Sequence, residues 1–341
     1  MTVHTSLASI AICIPARDEA ASLPALFVAL DRLERQSVDL KICLLLDSCH
    51  DASIRVAESY AARGLPIIID YIVQAEPNAG RARHAAMLLG MAALDGPGLL
   101  LSTDADSVPG ADWLQAMIAG CRAADIVAGR VVRTVTRPNP VQDRIEAYFE
   151  TLHALRRAID PVAWEATETH HHASSANLGM SVDTYRTLGG FLPMSNGEDG
   201  RLLDDAGRAG LRVRRDGASL VYTSDRRVGR VPHGFAGSLR MLDREDESVE
   251  VAHPRDVLWQ YCRHADARVA FATGDFSALA PAIGLTDDHV LGVARDCANA
   301  EAFAMCVVPT PPSGMRRVAL AVAEAEVSAL CRSQPIGRRA A

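Results

Sequence analysis

Three groups of acids in this chain of 341 residues stand where chemistry could be done. Asp104-Ala105-Asp106 follows the apolar run Leu99-Leu100-Leu101-Ser102. Pro15-Ala16-Arg17-Asp18-Glu19 follows Ile10-Ala11-Ile12-Cys13-Ile14, and Asp47 follows Ile42-Cys43-Leu44-Leu45-Leu46. Two carboxylates two residues apart on a turn can both address one hard divalent cation. Magnesium and manganese take few carboxylates and complete their shell with water and phosphate oxygens. A diphosphate would supply such oxygens. D-x-D by itself recurs by chance, and Asp is a common cap and turn former. Three acidic run ends in one chain are harder to attribute to caps alone.

Other polar groups call for the same weighing. Asn78-Ala79-Gly80-Arg81-Ala82-Arg83 precedes a helical pattern. A glycine and arginines at a helix start can cradle phosphate, and they can equally be a cap with solvated arginines. His170-His171-His172 lies in a polar stretch. Consecutive histidines rarely converge on one ion, so the readings are an acceptor-side loop or a solvated one. Ala252-His253-Pro254-Arg255-Asp256 resembles part of a deacetylase zinc motif, but neither the preceding strand nor the second acid is there, and chance explains it.

The elements that must position these residues alternate. Strands are expected at 10–14, 42–46, 67–73 and 98–102, with helices at 23–33, 52–63, 79–94 and 110–123 between and after them. Continuous apolar strands separated by helices predict a mostly parallel central sheet covered on both faces. Ligands of such sheets sit at the carboxyl ends of the strands, where the acids fall. Further on, 125–129 and 176–182 read as strands and 141–158 and 198–210 as helices, with short strands at Val213 and 219–222. Helical patterns near 254–272, 286–305 and 315–332 form a C-terminal extension. Leu320, Val327 and Leu330 fit core packing, and their heptad-like spacing allows a homodimer.

Composition sets the class. Asp plus Glu number 42 against 35 Lys plus Arg, so the net charge is −7 and a nucleic-acid surface is not expected. Lys41 is the only lysine and opens an apolar run, which excludes a P-loop lysine and disfavours a Schiff base. The eight cysteines form no C-x-x-C pair and read as free thiols of a reducing compartment. No run is long and apolar enough to span a membrane, and no signal peptide is evident; a cytoplasmic protein is expected. That leaves peripheral membrane association and a lipid-linked acceptor open.

The segments Ile14–Glu19, Leu46–Asp51, Asn78–Arg81 and Asp104–Ser107 resemble, in order, the motifs of family 2 glycosyltransferases with a GT-A fold. Ala176–Ser181 with Leu188–Phe191, and Gly197-Glu198-Asp199 with Leu202 and Leu203, continue that order. The resemblance covers residues 8–235. It implies an α/β GT-A catalytic domain at 1–235 and does not reach 236–341, which the helical patterns make a C-terminal extension. It also implies a metal-dependent, inverting transferase using a UDP- or GDP-sugar donor, Mn2+ or Mg2+, and a sugar, lipid or small-molecule acceptor. By the same resemblance Pro15, Arg17, Asp18, Glu19 and Asp47 bind the nucleotide sugar, with Asp18, Glu19 and Asp47 around the base and ribose. Asn78, Gly80 and Arg81 also bind the nucleotide sugar, with Arg81 facing the phosphates, Asp104 and Asp106 hold the metal and the ribose or diphosphate, and Asp199 is the base with Glu198 beside it. Related enzymes use a later histidine on the metal, for which His233 is the candidate. Ser48 and Cys49 replace an acid and a glycine of the family pattern, which puts its uridine preference in doubt. A nucleotidyltransferase is the alternative, but it needs a glycine-rich basic loop after the first strand. A non-catalytic binder is the other, although the acids at 104, 106 and 199 are all present.

Overall fold

The computed structural model describes residues 8–35, 38–230, 234–244 and 249–333. In chain order its first elements are β1 (Ala8–Ala16), α1 (Leu23–Asp31), β2 (Val38–Asp47), α2 (Ser53–Ala61), β3 (Ile67–Ile72) and α3 (Ala79–Leu94). Next come β4 (Leu99–Thr103), β5 (Ser107–Pro109), α4 (Trp113–Ala123), β6 (Ile126–Thr134), α5 (Pro140–Ile159), β7 (Asn177–Ser181) and α6 (Val182–Thr187). Then follow α7 (Glu198–Arg208), β8 (Val213–Ser224), α8 (Phe235–Leu242), β9 (Glu250–Ala252) and α9 (Pro254–Thr273). The last are α10 (Leu279–Ile283), α11 (Asp287–Asp296), α12 (Ala300–Val307), β10 (Arg317–Ala319) and α13 (Leu320–Ser333). The described residues fall into two compact units, one within 8–137, 166–203 and 213–237 and the other within 138–165, 204–212 and 238–333.

The first unit is built on an eight-stranded sheet of order β3-β2-β1-β4-β7-β6-β8-β5. Period-two alternation explains its two covered faces. Ile10, Ile12 and Ile14 of β1 join Ile42, Leu44 and Leu46 of β2 in a core with Leu23, Leu26 and Phe27 of α1 and Trp113 of α4. The intervening residues face α3. A Cβ on Gly90 would lie 2.4 Å from Cys13 Sγ and 3.3 Å from Ala11 Cβ, so that helix packs on the strand because residue 90 has no side chain. The mixed α/β fold agrees with the expected GT-A type.

Strand direction is where sequence and structure diverge in detail. β1 pairs in parallel with β2 and β4, and β6 with β8, but β7 lies antiparallel between β4 and β6. Short apolar runs carry no sign of direction, which is set by connections. β5 was not anticipated: three residues beginning with Ser107 pair with β8. The segments expected separately at Val213 and 219–222 are one strand, whose register shifts beside Gly129/Arg130.

In the second unit, Tyr148, Leu152 and Leu155 of α5 pack with Val251, Leu320, Ala323 and Val327. A further cluster gathers α9, α10, α11 and α12 around Phe303. The helix expected over 286–305 is two helices, because Asn299 caps α12 by accepting from Ala302 N–H. His253 likewise caps α9, and Asp256 is held by Arg316, so the zinc-motif look-alike is a helix start. Among the described residues no helix is long and apolar enough to cross a membrane.

Candidate active site

Sheet register brings distant sequence to one edge. Parallel pairing sets Ala16 beside Leu46 and Cys13 beside Ser102, so β1, β2 and β4 all end there. Antiparallel β7 starts where they stop, with Asn177 opposite Thr103. The loop before it therefore delivers Ser174 and Ser175 to the same edge. β8 ends there too, and Ser224 N–H donates to Asp106 O at 3.3 Å. These ends line a cleft of about 410 Å³.

Charge dominates this cleft. Among the described residues six carboxylates line it, Glu19, Asp47, Asp104, Asp106, Glu198 and Asp199, against four guanidiniums, Arg17, Arg83, Arg226 and Arg230. Arg83, only 9% exposed, is the centre of one half. Its NH1 donates to Asp104 Oδ1 at 2.7 Å and its Nε to Glu198 Oε1 at 3.2 Å. Burial would lower its pKa, but Asp104 and Glu198 more than offset this, and the value is raised. Arg226 centres the other half. NH1 donates to Glu19 Oε2 at 2.6 Å, and NH2 lies 3.1 Å from Asp106 Oδ2. Burial, together with the charge on Asp104, pushes Asp106 up to about 6, against the pull of Arg226.

Asp47 accepts from Ser48 Oγ and Gln74 Nε2, each at 2.9 Å, and lies 3.6 Å from Arg17 NH1. That Arg17 nitrogen is buried without a hydrogen-bond acceptor, as a donor awaiting a ligand oxygen would be. Asp199 is oriented by two backbone donors, Ser175 N–H at 3.3 Å and Gly200 N–H at 2.8 Å.

The expected residues separate into two groups. Pro15, Arg17, Glu19, Asp47, Asn78, Asp104, Asp106, Glu198 and Asp199 all line the cleft. Asp18, Gly80 and Arg81 are not among its lining residues. Asp18, at φ 51°, accepts from His50 and Asp51 N–H and so joins two loops. Gly80 is required by a close approach: a Cβ there would lie 1.9 Å from Leu192 O. Its N–H donates to Met194 O, and the capping Asn78 donates to Pro193 O, so a loop covers this helix start. Arg81 is exposed, and Arg83 enters the cleft instead. His233 lies outside the described residues. His170 is fully buried, with Nδ1 accepting from His172 N–H and Nε2 left to donate to Ala128 O.

Cys49 and Ser48, the two departures from the family pattern, have structural uses. Cys49 Sγ donates to Ala16 O at 3.3 Å and accepts from Asp18 N–H at 3.4 Å. Ser48 bonds Asp47 and also accepts from Gln74 N–H. All eight cysteines are free thiols. Lys41 donates to Ala93 O at 2.6 Å, far from any chemistry.

Residues 11–178 match the model of glycosyl transferase family 2. This segment is a family 2 glycosyltransferase domain. It includes Asp47, Asp104 and Asp106 and ends before Asp199. A comparison with curated proteins gives no match. Among solved structures, GalNAc-T7 with UDP, GalNAc and Mn2+ aligns at TM-score 0.50 and 12% identity, over 91% of this chain and 59% of that one. S. aureus TarS 1-349 with UDP-GlcNAc aligns at 0.48 and 13%, over 87% and 89%. Mannosyltransferase PcManGT from Pyrobaculum calidifontis with GDP-Man and Mn2+ aligns at 0.45 and 15%, over 96% and 81%. At 12% identity the likeness to GalNAc-T7 concerns the fold alone.

Proposed function

We propose that this family 2 domain transfers a sugar from a nucleotide-diphosphate donor to an acceptor hydroxyl, with a divalent metal and inversion at the anomeric carbon. The observation that carries the reading is the surplus of carboxylates over guanidiniums in the cleft at the sheet edge. Repulsion within it is already felt in the raised pKa of Asp106, whose causes are burial and then Asp104. A divalent cation relieves such a surplus, and hard oxygen donors suit Mn2+ or Mg2+. Asp104 and Asp106 are the residues that would hold it. When bound, the metal would neutralise charge developing on the leaving diphosphate.

The protein's own groups do the rest. Arg17 and Asp47 present a donor and an acceptor for a UDP- or GDP-sugar. Asp199 takes the proton of the acceptor hydroxyl as that oxygen attacks the anomeric carbon. The bond to the diphosphate oxygen breaks as the new one forms, and the electron pair leaves with the nucleoside diphosphate. The backbone donors on Asp199 hold its carboxylate toward the cleft through this step. Glu198 keeps Arg83 in place and is a positioning residue.

Incubation with several nucleotide sugars, with and without Mn2+, tests this. Release of nucleoside diphosphate should need metal, and Asp104→Asn should abolish it. Asp199→Asn should lower transfer to an identified acceptor by roughly 10²–10⁴. Equal donor turnover by Asp104→Asn would remove the metal assignment, and undiminished transfer by Asp199→Asn the base.

A further inference from the structure

Glu19 does not offer its carboxylate to a ligand. Both of its oxygens face arginines: Arg226 NH1 donates to Oε2 at 2.6 Å, and Arg230 Nε lies 3.7 Å from Oε1. Ser22 Oγ also donates to Oε2. Glu19 is 4% exposed, so this carboxylate is a buried fixture that aims a guanidinium. What it aims Arg226 at is Asp106, 3.1 Å away. On the other side Arg83 NH1 stands 2.7 Å from Asp104. Both carboxylates assigned to the metal thus carry an internal cation. The two cations differ in freedom. Arg83 is buried and bridges to Glu198, which is 5% exposed. The Arg226 side chain retains 27% exposure and lines the open cleft.

We propose that Arg226 couples metal binding to nucleotide binding by standing in for the metal at Asp106 until a diphosphate offers it another partner. The inference rests on the metal-dependent reading above. A metal arriving alone meets a like charge and must weaken the Arg226–Asp106 pair, so it binds poorly. A nucleoside diphosphate brings negative oxygens to the same cleft, and a planar guanidinium pairs readily with phosphate. With both present, Asp106 turns to the metal and Arg226 to the diphosphate, so each ligand strengthens the other. By linkage the factor must be the same in both directions. Glu19 is then a positioning residue that keeps the guanidinium at the cleft through the exchange.

Manganese titrations followed by the EPR signal of free Mn2+, each read against the same titration of nucleotide without protein, test the coupling without turnover. Full-length wild type, Arg226→Gln and Arg226→Lys are compared with metal alone, with UDP and with GDP. In wild type, the favoured nucleotide should tighten Mn2+ binding at least fivefold, the lower end of ordinary coupling. Arg226→Gln should bind Mn2+ alone more tightly than wild type and keep only the part of the nucleotide effect that diphosphate oxygens on the metal itself supply. Arg226→Lys keeps the charge but cannot bridge Glu19 and Asp106 as a fork, so it should keep only part of the coupling. It carries the test if the Gln variant does not fold. A coupling factor unchanged in both variants would overturn the role of Arg226 while leaving the metal site standing. Absence of Mn2+ binding by wild type with either nucleotide would overturn the metal reading itself, and the coupling with it.

Discussion

Arg83→Met is the sharpest perturbation of the site's framework. Arg83 and Glu198 are 9% and 5% exposed, and the guanidinium is held by 3.2 Å and 2.7 Å contacts to Glu198 and Asp104. Methionine fills similar volume and offers no donor. The Asp104 side chain keeps 31% exposure, so water can replace its lost partner. Glu198 has no such recourse. Removing one partner of a buried pair costs about 3–5 kcal/mol, chiefly the uncompensated charge left behind. The side chain that carries this cost here is Glu198. At about 2–4 °C per kcal/mol, a drop on the order of 10 °C in Tm is expected. A double-mutant cycle in urea assigns it: Arg83→Met/Glu198→Gln should regain at least half of the loss. A single-variant loss under about 1 kcal/mol, or strict additivity in the cycle, would refute the claim that this guanidinium is held by a buried charge pair.

Three further outcomes follow from the same geometry. Asp106 has a folded-state pKa of about 6 against an ordinary 3.8, so its ionisation opposes folding above pH 4 and fully above pH 6. Metal-free Asp106→Asn should therefore be more stable than wild type at pH 7.5, by up to about 3 kcal/mol, with the gain vanishing near pH 4 in thermal melts. Asp225 behaves oppositely. Burial would raise its pKa, but donors from Thr136 and Arg137 hold it at about 2. Its contribution is present above pH 4 and lost as pH falls toward 2, and Asp225→Asn should cost about 2 kcal/mol at pH 7 in urea unfolding. Gly80→Ala should displace the 192–194 loop, since its Cβ would meet Leu192 O at 1.9 Å. Weakened nucleotide binding by calorimetry, with a destabilisation of about 1–3 kcal/mol, is expected.

Much of the site was legible because strand ends are local features. An apolar run followed by an acid marks Asp47 and Asp104 without knowledge of the fold, and parallel register then aligns them. Arg83 was legible in principle. Gly80, Arg83, Met87, Gly90 and Leu94 are buried at spacings of three and four, so a charge stands in the apolar stripe of α3. Such a charge has to be paired. Arg81, two residues earlier, falls on the opposite face and is exposed, although it lies closer to the glycine of the motif.

Arg226 and Arg230 had no such signal. They follow β8 in a polar run, and the partner of Arg226 is Glu19, 207 residues away. Which arginine meets which acid depends on where β8 ends, and this depends on its pairing with β6 and β5. The sequence by itself determined the apolar strands, their acidic ends and the carboxylate surplus, because these follow from residue type and spacing. Tertiary structure decided which acids line the cleft and which arginine each one meets, because a charge's surroundings are set by its nearest opposite charge, and chain folding chooses that neighbour.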